Sequence, residues 1–149
     1  MIDVIEGVSP QTTTVIRQAW EAKVKTVLVL NKMDRLIIDK WYDAKECYLW
    51  VSQIIENANS YVSELIQGDH LQRMQEDSTQ RNRRLSSNHS SGSEKMTDAE
   101  LEAAEQEYLY SPEKGNVAFV SAVDNWGFTL DTLCPRIAKQ FGMNPRALK

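Results

Sequence analysis

The stretch "TVLVLNKMDRL", Thr26 to Leu36, decides the fold. Its first half is apolar and β-branched, without polar alternation, and it stops abruptly at Asn31-Lys32-Met33-Asp34. A strand with one wet face alternates apolar and polar residues. A run that does not alternate is expected to be covered on both faces, as in a parallel sheet. Asn31 to Asp34 are therefore read as the end of a buried strand.

Working outward, "MIDVIEGVSPQT" places Ile2, Val4 and Ile5 at the tail of another strand. Gly7 and Pro10 punctuate a turn, and a helix is expected from about Gln11 or Thr12. Val15, Ile16, Ala19 and Trp20 follow at helical spacing, which predicts one buried face. Downstream, Asp39 or Asp43 is positioned to start a long helix. Cys47, Trp50, Val51, Ile54, Ile55, Ala58, Val62 and Leu65 form its stripe, with an end expected near Gly68.

From Asp69 to Glu107 the chain turns charged and Ser-rich and is poor in large apolar residues. A segment such as "STQRNRRLSSNHSSGSEK" cannot bury enough surface to offset its ordering entropy, so disorder is expected. Toward its end, "TDAELEAAEQEYLY" suits a surface helix, with Thr97 as N-cap and Glu100 at the capping-box position. "GNVAFVSAV" is a second buried strand. In the tail, Leu130, Leu133, Cys134, Ile137, Ala138 and Phe141 share a helical face. Pro135 suits the first position of a helix better than its interior, which leaves the start of that helix open.

Strand, helix, strand, helix, insertion, strand, helix is the order of a doubly wound α/β domain with a mostly parallel sheet. The organisation is residues 1–68, an insertion over 69–107, and a continuation over 108–149. Such sheets place ligands at the carboxyl ends of their strands. Asn31 to Asp34 and Ser121 to Val123 occupy two of those ends.

The chain has 149 residues, 42% of them apolar and 26% charged, which suits one domain with a real core. A net charge of −4 argues against generic nucleic-acid or direct DNA binding. Cys47 and Cys134, far apart and in apolar contexts, read as reduced thiols of a cytosolic protein. No apolar run approaches the length of a membrane span. Asn88-His89-Ser90 matches a glycosylation acceptor, which reads as a chance match in a Ser-rich loop.

The residues Asn31, Lys32 and Asp34 suit one chemistry. A carboxylate just past a buried strand can accept two parallel hydrogen bonds. Guanine offers two donors side by side, its ring N1–H and its exocyclic amine; adenine does not. A wrong base would leave Asp34 unpaired, at a cost of about 1–3 kcal/mol. Asn31 can donate to the ring N7 and tie neighbouring loops together. The Lys32 stem can lie over the base with its ammonium in water. Met33 is expected to point back into the fold. At the second strand end, a small residue such as Ala122 lets a backbone N–H reach the base carbonyl. The competing reading is structural: Asn and Asp often close a strand with local turns.

"VIEGVSPQTTTVIRQAW", "KTVLVLNKMDRLI" and "NVAFVSAVDNWGFTL" together resemble the G domain of translational GTPases of the elongation factor 2 group. Ser121-Ala122-Val123-Asp124, the long insertion and "YLYSPEKGNVAFVSA" are similar to the branch that acts in maturation of the cytoplasmic large ribosomal subunit. The resemblance implies a P-loop GTPase fold, of which this chain is the C-terminal half. It assigns Asn31, Lys32 and Asp34 to the fourth guanine-nucleotide motif, Ser121 and Ala122 to the fifth, and Gln11 and Thr12 to a structural turn. It implies GTP or GDP as ligand. As partners it implies the large ribosomal subunit, the Shwachman–Bodian–Diamond protein and initiation factor 6, whose release the GTPase drives. Elongation factor 2 itself and a non-catalytic interaction module are the alternatives.

One departure is large. No Gly-x-x-x-x-Gly-Lys-Ser/Thr occurs in these residues, nor the segment with the water-positioning histidine, nor the Thr that would hold Mg2+. His70 and His89 fall in the insertion and are not substitutes. The expectation is a fragment or truncated gene model of a larger GTPase, with no catalytic residue or metal ligand of its own. Its sheet would be left partly uncovered, so poor stability or aggregation is expected in isolation. Trp126 and Phe128 are read as buried aromatic anchors for the last helix.

Overall fold

In the computed structural model, which describes residues 1–84 and 106–142, the quoted stretch forms strand β2, Leu28–Asn31. It lies between two parallel neighbours. Strand β1, Ile2–Asp3, pairs Ile2 with Leu30 and Asp3 with Asn31. Strand β3, Val117–Ser121, pairs Val117 with Leu28 and Phe119 with Leu30. A short fourth strand, β4 (Trp126–Phe128), runs antiparallel to β3 and completes the order β1-β2-β3-β4. The sheet is thus α/β and mostly parallel, as the apolar run demands. Its faces are covered unequally: Leu28, Leu30, Val117 and Phe119 are buried, whereas Val29, Ala118 and Val120 are half-buried.

The crossover from β1 to β2 is helix α1, Pro10–Glu21. Ser9 caps it by accepting the Thr12 N–H at 3.3 Å, and Pro10 takes the first position, where no N–H is needed. Its buried face is narrower than expected: Ile16 is buried, Ala19 and Trp20 are half-buried, and Val15 is exposed. After β2 comes a separate short helix, α2 (Met33–Ile38), and then α3 (Ala44–Arg84). Of the two candidate starts for α3 the chain uses Asp43. Asp43 Oδ1 accepts the Glu46 N–H at 2.7 Å, and Glu46 returns a bond to the Asp43 N–H at 2.9 Å. This reciprocal box satisfies two N–H groups that a helix start leaves orphaned.

The chain divides into two compact units, one made of Met1–Ser60 with Tyr110–Lys149, the other of Tyr61–Leu109. In the first, Ile2, Val4, Leu28, Leu30, Leu36 and Val117 form the core, together with Val51, Ile54, Ile55 and Ala58 of α3. The Trp50 indole donates to the Val4 carbonyl at 2.7 Å, which fixes the helix against the end of β1. In the second unit α3 carries Val62 and Ile66 buried and Leu65 half-buried, so its stripe drifts by one residue from the expected position.

Helix α3 does not end at Gly68 but continues to Arg84. A mid-helix glycine costs only about 1 kcal/mol relative to alanine. The residues after it, "LQRMQE", are good helix formers. Residues 69–84, expected to lack order, are therefore helical. The surface helix expected at Thr97 and Glu100, and His89, lie outside the described residues.

The last helix, α4, spans Leu130–Phe141 and contains Pro135 in its interior. It starts earlier than a Pro-first helix would. Thr132 Oγ1 accepts the Thr129 N–H at 3.0 Å, and the Thr129 carbonyl accepts from Leu133 at 3.0 Å, so the first turn is secured ahead of the proline. Cys134 and Ala138 are buried, while Phe141 is exposed against expectation. Neither cysteine is in a disulfide; burial first, then Asp43 and Glu46, pushes the Cys47 thiol up.

Within the first unit, Asn59 brackets the backbone of Tyr110. Its Oδ1 accepts the Tyr110 N–H at 2.7 Å and its Nδ2 donates to the Tyr110 carbonyl at 2.9 Å. The Tyr110 hydroxyl meets Thr26 Oγ1 at 2.6 Å. Asn59→Ala removes both Asn59 bonds and leaves two backbone groups unsatisfied. The expected loss is roughly 1–3 kcal/mol of stability, read by urea unfolding, against a change within about 0.5 kcal/mol for Asn57→Ala on the exposed face.

Candidate functional site

Three parallel strands bring their carboxyl ends to one edge of the sheet. Asp3 ends β1, Asn31 ends β2 and Ser121 ends β3. Each is followed by a sharp turn, because the chain must leave the sheet where the ladder stops. After β2 the turn is made by Lys32, whose φ of 65° lies in the left-handed region. A residue with a Cβ occupies that region at a cost of about 1–2 kcal/mol. The turn sets α2 starting at Met33, so that Asp34 falls in its first turn.

Asp34 is buried, with 9% of its surface exposed. Its Oδ1 is sealed from solvent and has no hydrogen-bond partner. A buried carboxylate oxygen without a donor is among the costlier arrangements in a protein. Its retention fits an acceptor kept for a ligand that brings its own donors. Guanine's paired N–H groups meet that requirement. The residue that seals the turn into the fold is Leu36, which is wholly buried; Met33, expected in that role, is half-buried.

Asn31 ties the two strand ends together: its Oδ1 accepts the Ala122 N–H at 3.2 Å. The side-chain Nδ2 of the same residue keeps donors for other partners. The Ala122 N–H, expected to face a base carbonyl, is here engaged by Asn31. Ser121 is fully buried. Its Oγ donates to Asp124 Oδ2 and accepts the Asp124 N–H, both at 3.2 Å, which folds the loop after β3 back on itself. Ala122 stands exposed at the mouth of that loop. The structure therefore brings Asn31, Lys32, Asp34, Ser121 and Ala122 to neighbouring strand ends. Gln11 lies in the first turn of α1, exposed, and Thr12 serves its N-cap. His70 is on α3 in the other unit.

Two side chains escaped the sequence reading. Asp3 forms an ion pair with the Lys32 ammonium and accepts the Ile5 N–H at 2.9 Å through its other oxygen. Asp124 is the partner of Ser121. For Asp3 the available signal was a carboxylate at the end of an apolar run, the same signal that marks Asp34. Trp126 and Phe128, expected as buried anchors of the last helix, take a different setting. They lie on β4, stacked with centroids 5.8 Å apart, and Phe128 packs on Phe119 of β3 at 5.4 Å. Trp126 is 39% exposed.

Among the described residues no group of His, Cys, Asp or Glu side chains is arranged to hold a metal ion, and no helix is long and apolar enough to cross a membrane.

Burial pushes the Asp3 carboxyl up, but the Lys32 ammonium and the Ile5 N–H hold it, on balance, below its ordinary value of 3.8. A carboxyl depressed in the folded state contributes stability above its unfolded pKa and loses it as pH falls through the folded value. The stability difference between the wild type and Asp3→Asn is therefore expected to be constant from neutral pH to about pH 5 and to shrink below about pH 4. Melting temperatures of both proteins across that range check it.

The chain matches the family model described as the elongation factor Tu GTP binding domain over residues 1–141. It is similar to Elongation factor-like GTPase 1 of Mus musculus, at 36% identity over 151 residues. That match covers 99% of this chain and 13% of the relative. The corresponding Homo sapiens protein is 35% identical over the same shares. Ribosome assembly protein 1 of Saccharomyces cerevisiae is 35% identical over 143 residues, covering 95% of this chain and 12% of the relative. The chain thus spans a small part of the length of each of these relatives.

Proposed function

We propose, on the premise that this chain belongs to the elongation factor Tu GTP binding domain family, that it supplies the guanine-selecting part of a translational GTPase acting in ribosome assembly. The observation that carries the reading is Asp34 Oδ1, buried and without a partner at the carboxyl end of β2. Guanine's N1–H and exocyclic amine would satisfy the Asp34 carboxylate together. Adenine would leave it unpaired, and the difference sets selectivity. Asn31 holds the loops of β2 and β3 at a fixed separation through Ala122 and offers its amide to the ring. The Lys32 stem covers the base. The Ser121–Asp124 bonds hold the Ala122 backbone where a small side chain permits close approach.

These residues bind and orient a base; they do no phosphate chemistry. Phosphoryl transfer rests on positioning and charge stabilisation by a phosphate loop, Mg2+ and a placed water. No phosphate-loop motif occurs within these 149 residues. GTP hydrolysis and Mg2+ binding accordingly belong to the whole protein. That protein, by resemblance, acts in the cytoplasm on the large ribosomal subunit, and with the Shwachman–Bodian–Diamond protein drives release of initiation factor 6. The names of the relatives, one of them a ribosome assembly protein, favour this over elongation factor 2's role in translocation.

Asp34→Asn in the full-length protein tests the base assignment. Xanthine carries a carbonyl where guanine carries an amine, so an amide should suit it better. GTP affinity is expected to fall by about tenfold or more, and xanthosine triphosphate affinity to rise. Unchanged GTP binding would remove Asp34 from the pocket. The isolated 149 residues are expected to show no metal-dependent GTP turnover; a measurable rate in a phosphate-release assay would overturn the division of labour.

A further inference from the structure

We propose that Asp3 is a positioning residue for Lys32, an anchor on β1 that holds the lysine stem across the base-binding edge. The inference rests on the guanine reading above and extends it to a strand outside either base-reading motif.

Register supplies the first argument. Asp3 pairs across the β1–β2 ladder with Asn31, the residue immediately before Lys32. The positive φ of Lys32 turns the backbone at that point, and its side chain reaches back to the Asp3 carboxylate. The anchor is itself fixed. Asp3 Oδ1 accepts the Ile5 N–H at 2.9 Å, and its backbone carbonyl accepts the Gly7 N–H at 2.8 Å. One carboxylate oxygen is thus committed to the turn after β1 and the other is left for the ammonium.

Exposure supplies the second argument. The Asp3 side chain is 19% exposed and the Lys32 side chain 46%. A half-exposed pair of this kind adds little to stability. Its effect is geometric. A lysine side chain has many rotamers, and tethering its head removes most of them before a base arrives. A stem fixed in advance covers the base without an ordering cost at the moment of binding. Asp3 touches no base atom; it acts only through Lys32.

The test is a double-mutant cycle in the full-length protein, read as the release rate of fluorescently labelled GDP. Asp3→Asn keeps the acceptor for Ile5 and removes the charge. It is expected to speed release about two- to fivefold. Lys32→Met keeps an apolar stem without the ammonium, and in that background Asp3→Asn is expected to change nothing further. A purely structural role for Asp3 would give additive effects instead, and additive effects overturn the proposal. If Asp3→Asn does not fold, salt gives the same answer. Between about 0.05 and about 0.5 M KCl, release from the wild type should accelerate more than release from Lys32→Met; equal salt responses overturn the proposal. Asp34→Asn separates the two layers. If it shifts preference toward xanthine while the Asp3 cycle is additive, only the positioning role fails. If it shifts nothing, the base reading fails and the Asp3 role with it.

Discussion

Strand β2 has parallel neighbours on both edges, and most of the unit built around it follows from that placement. A parallel strand cannot join its neighbour by a tight hairpin, so each connection must cross over through helices. The crossover from β1 supplies α1, and the one to β3 supplies α2 and α3. Parallel strands also end together. Asp3, Asn31 and Ser121 come to one edge because Ile2 pairs with Leu30 and Leu30 pairs with Phe119. The candidate site is assembled from separate stretches of chain with no contact needed between them until the sheet forms.

At that edge, local chemistry follows from the loss of the ladder. Backbone N–H groups that the sheet no longer satisfies are met by side chains: Ala122 by Asn31, Ile5 by Asp3, Asp124 by Ser121. These bonds set loop positions that the strands alone would leave loose. Asp34 stands apart from this pattern. It is the buried acceptor in the edge whose partner the fold does not provide. The same polar residue types therefore divide into those that hold the loops and one left available.

Much of this was legible in the residues, for reasons that differ by element. The absence of alternation in "TVLVL" predicted a central strand, and the Asn-Lys-x-Asp spacing placed a carboxylate just beyond it. Other features carry no periodic signal. Nothing in Lys32 announces a left-handed backbone, and its pairing with Asp3 depends on β-register across distant positions. Strand β4 is three residues long, too short to show a period of two. Gly68 misled because a glycine is a stop signal only where the backbone needs a positive φ, and inside α3 it does not. Phe141 and Val15 sit at helical spacing yet face outward, since spacing fixes a face but not its width.

The Asn59–Tyr110 bracket has a consequence for how such a chain can vary. Chain departs from the first unit at Ser60 and returns at Tyr110, and the return point is held by a residue next to the departure point. The entropy of closing a flexible loop grows only with the logarithm of its length, by about 0.6 kcal/mol per doubling. With both ends held at one neck, residues can be gained or lost between them while the β2–β3 register stays where it is. Length at this point of the fold is then close to a neutral variable, free to drift or be recruited without disturbing the edge where Asn31 and Ala122 meet.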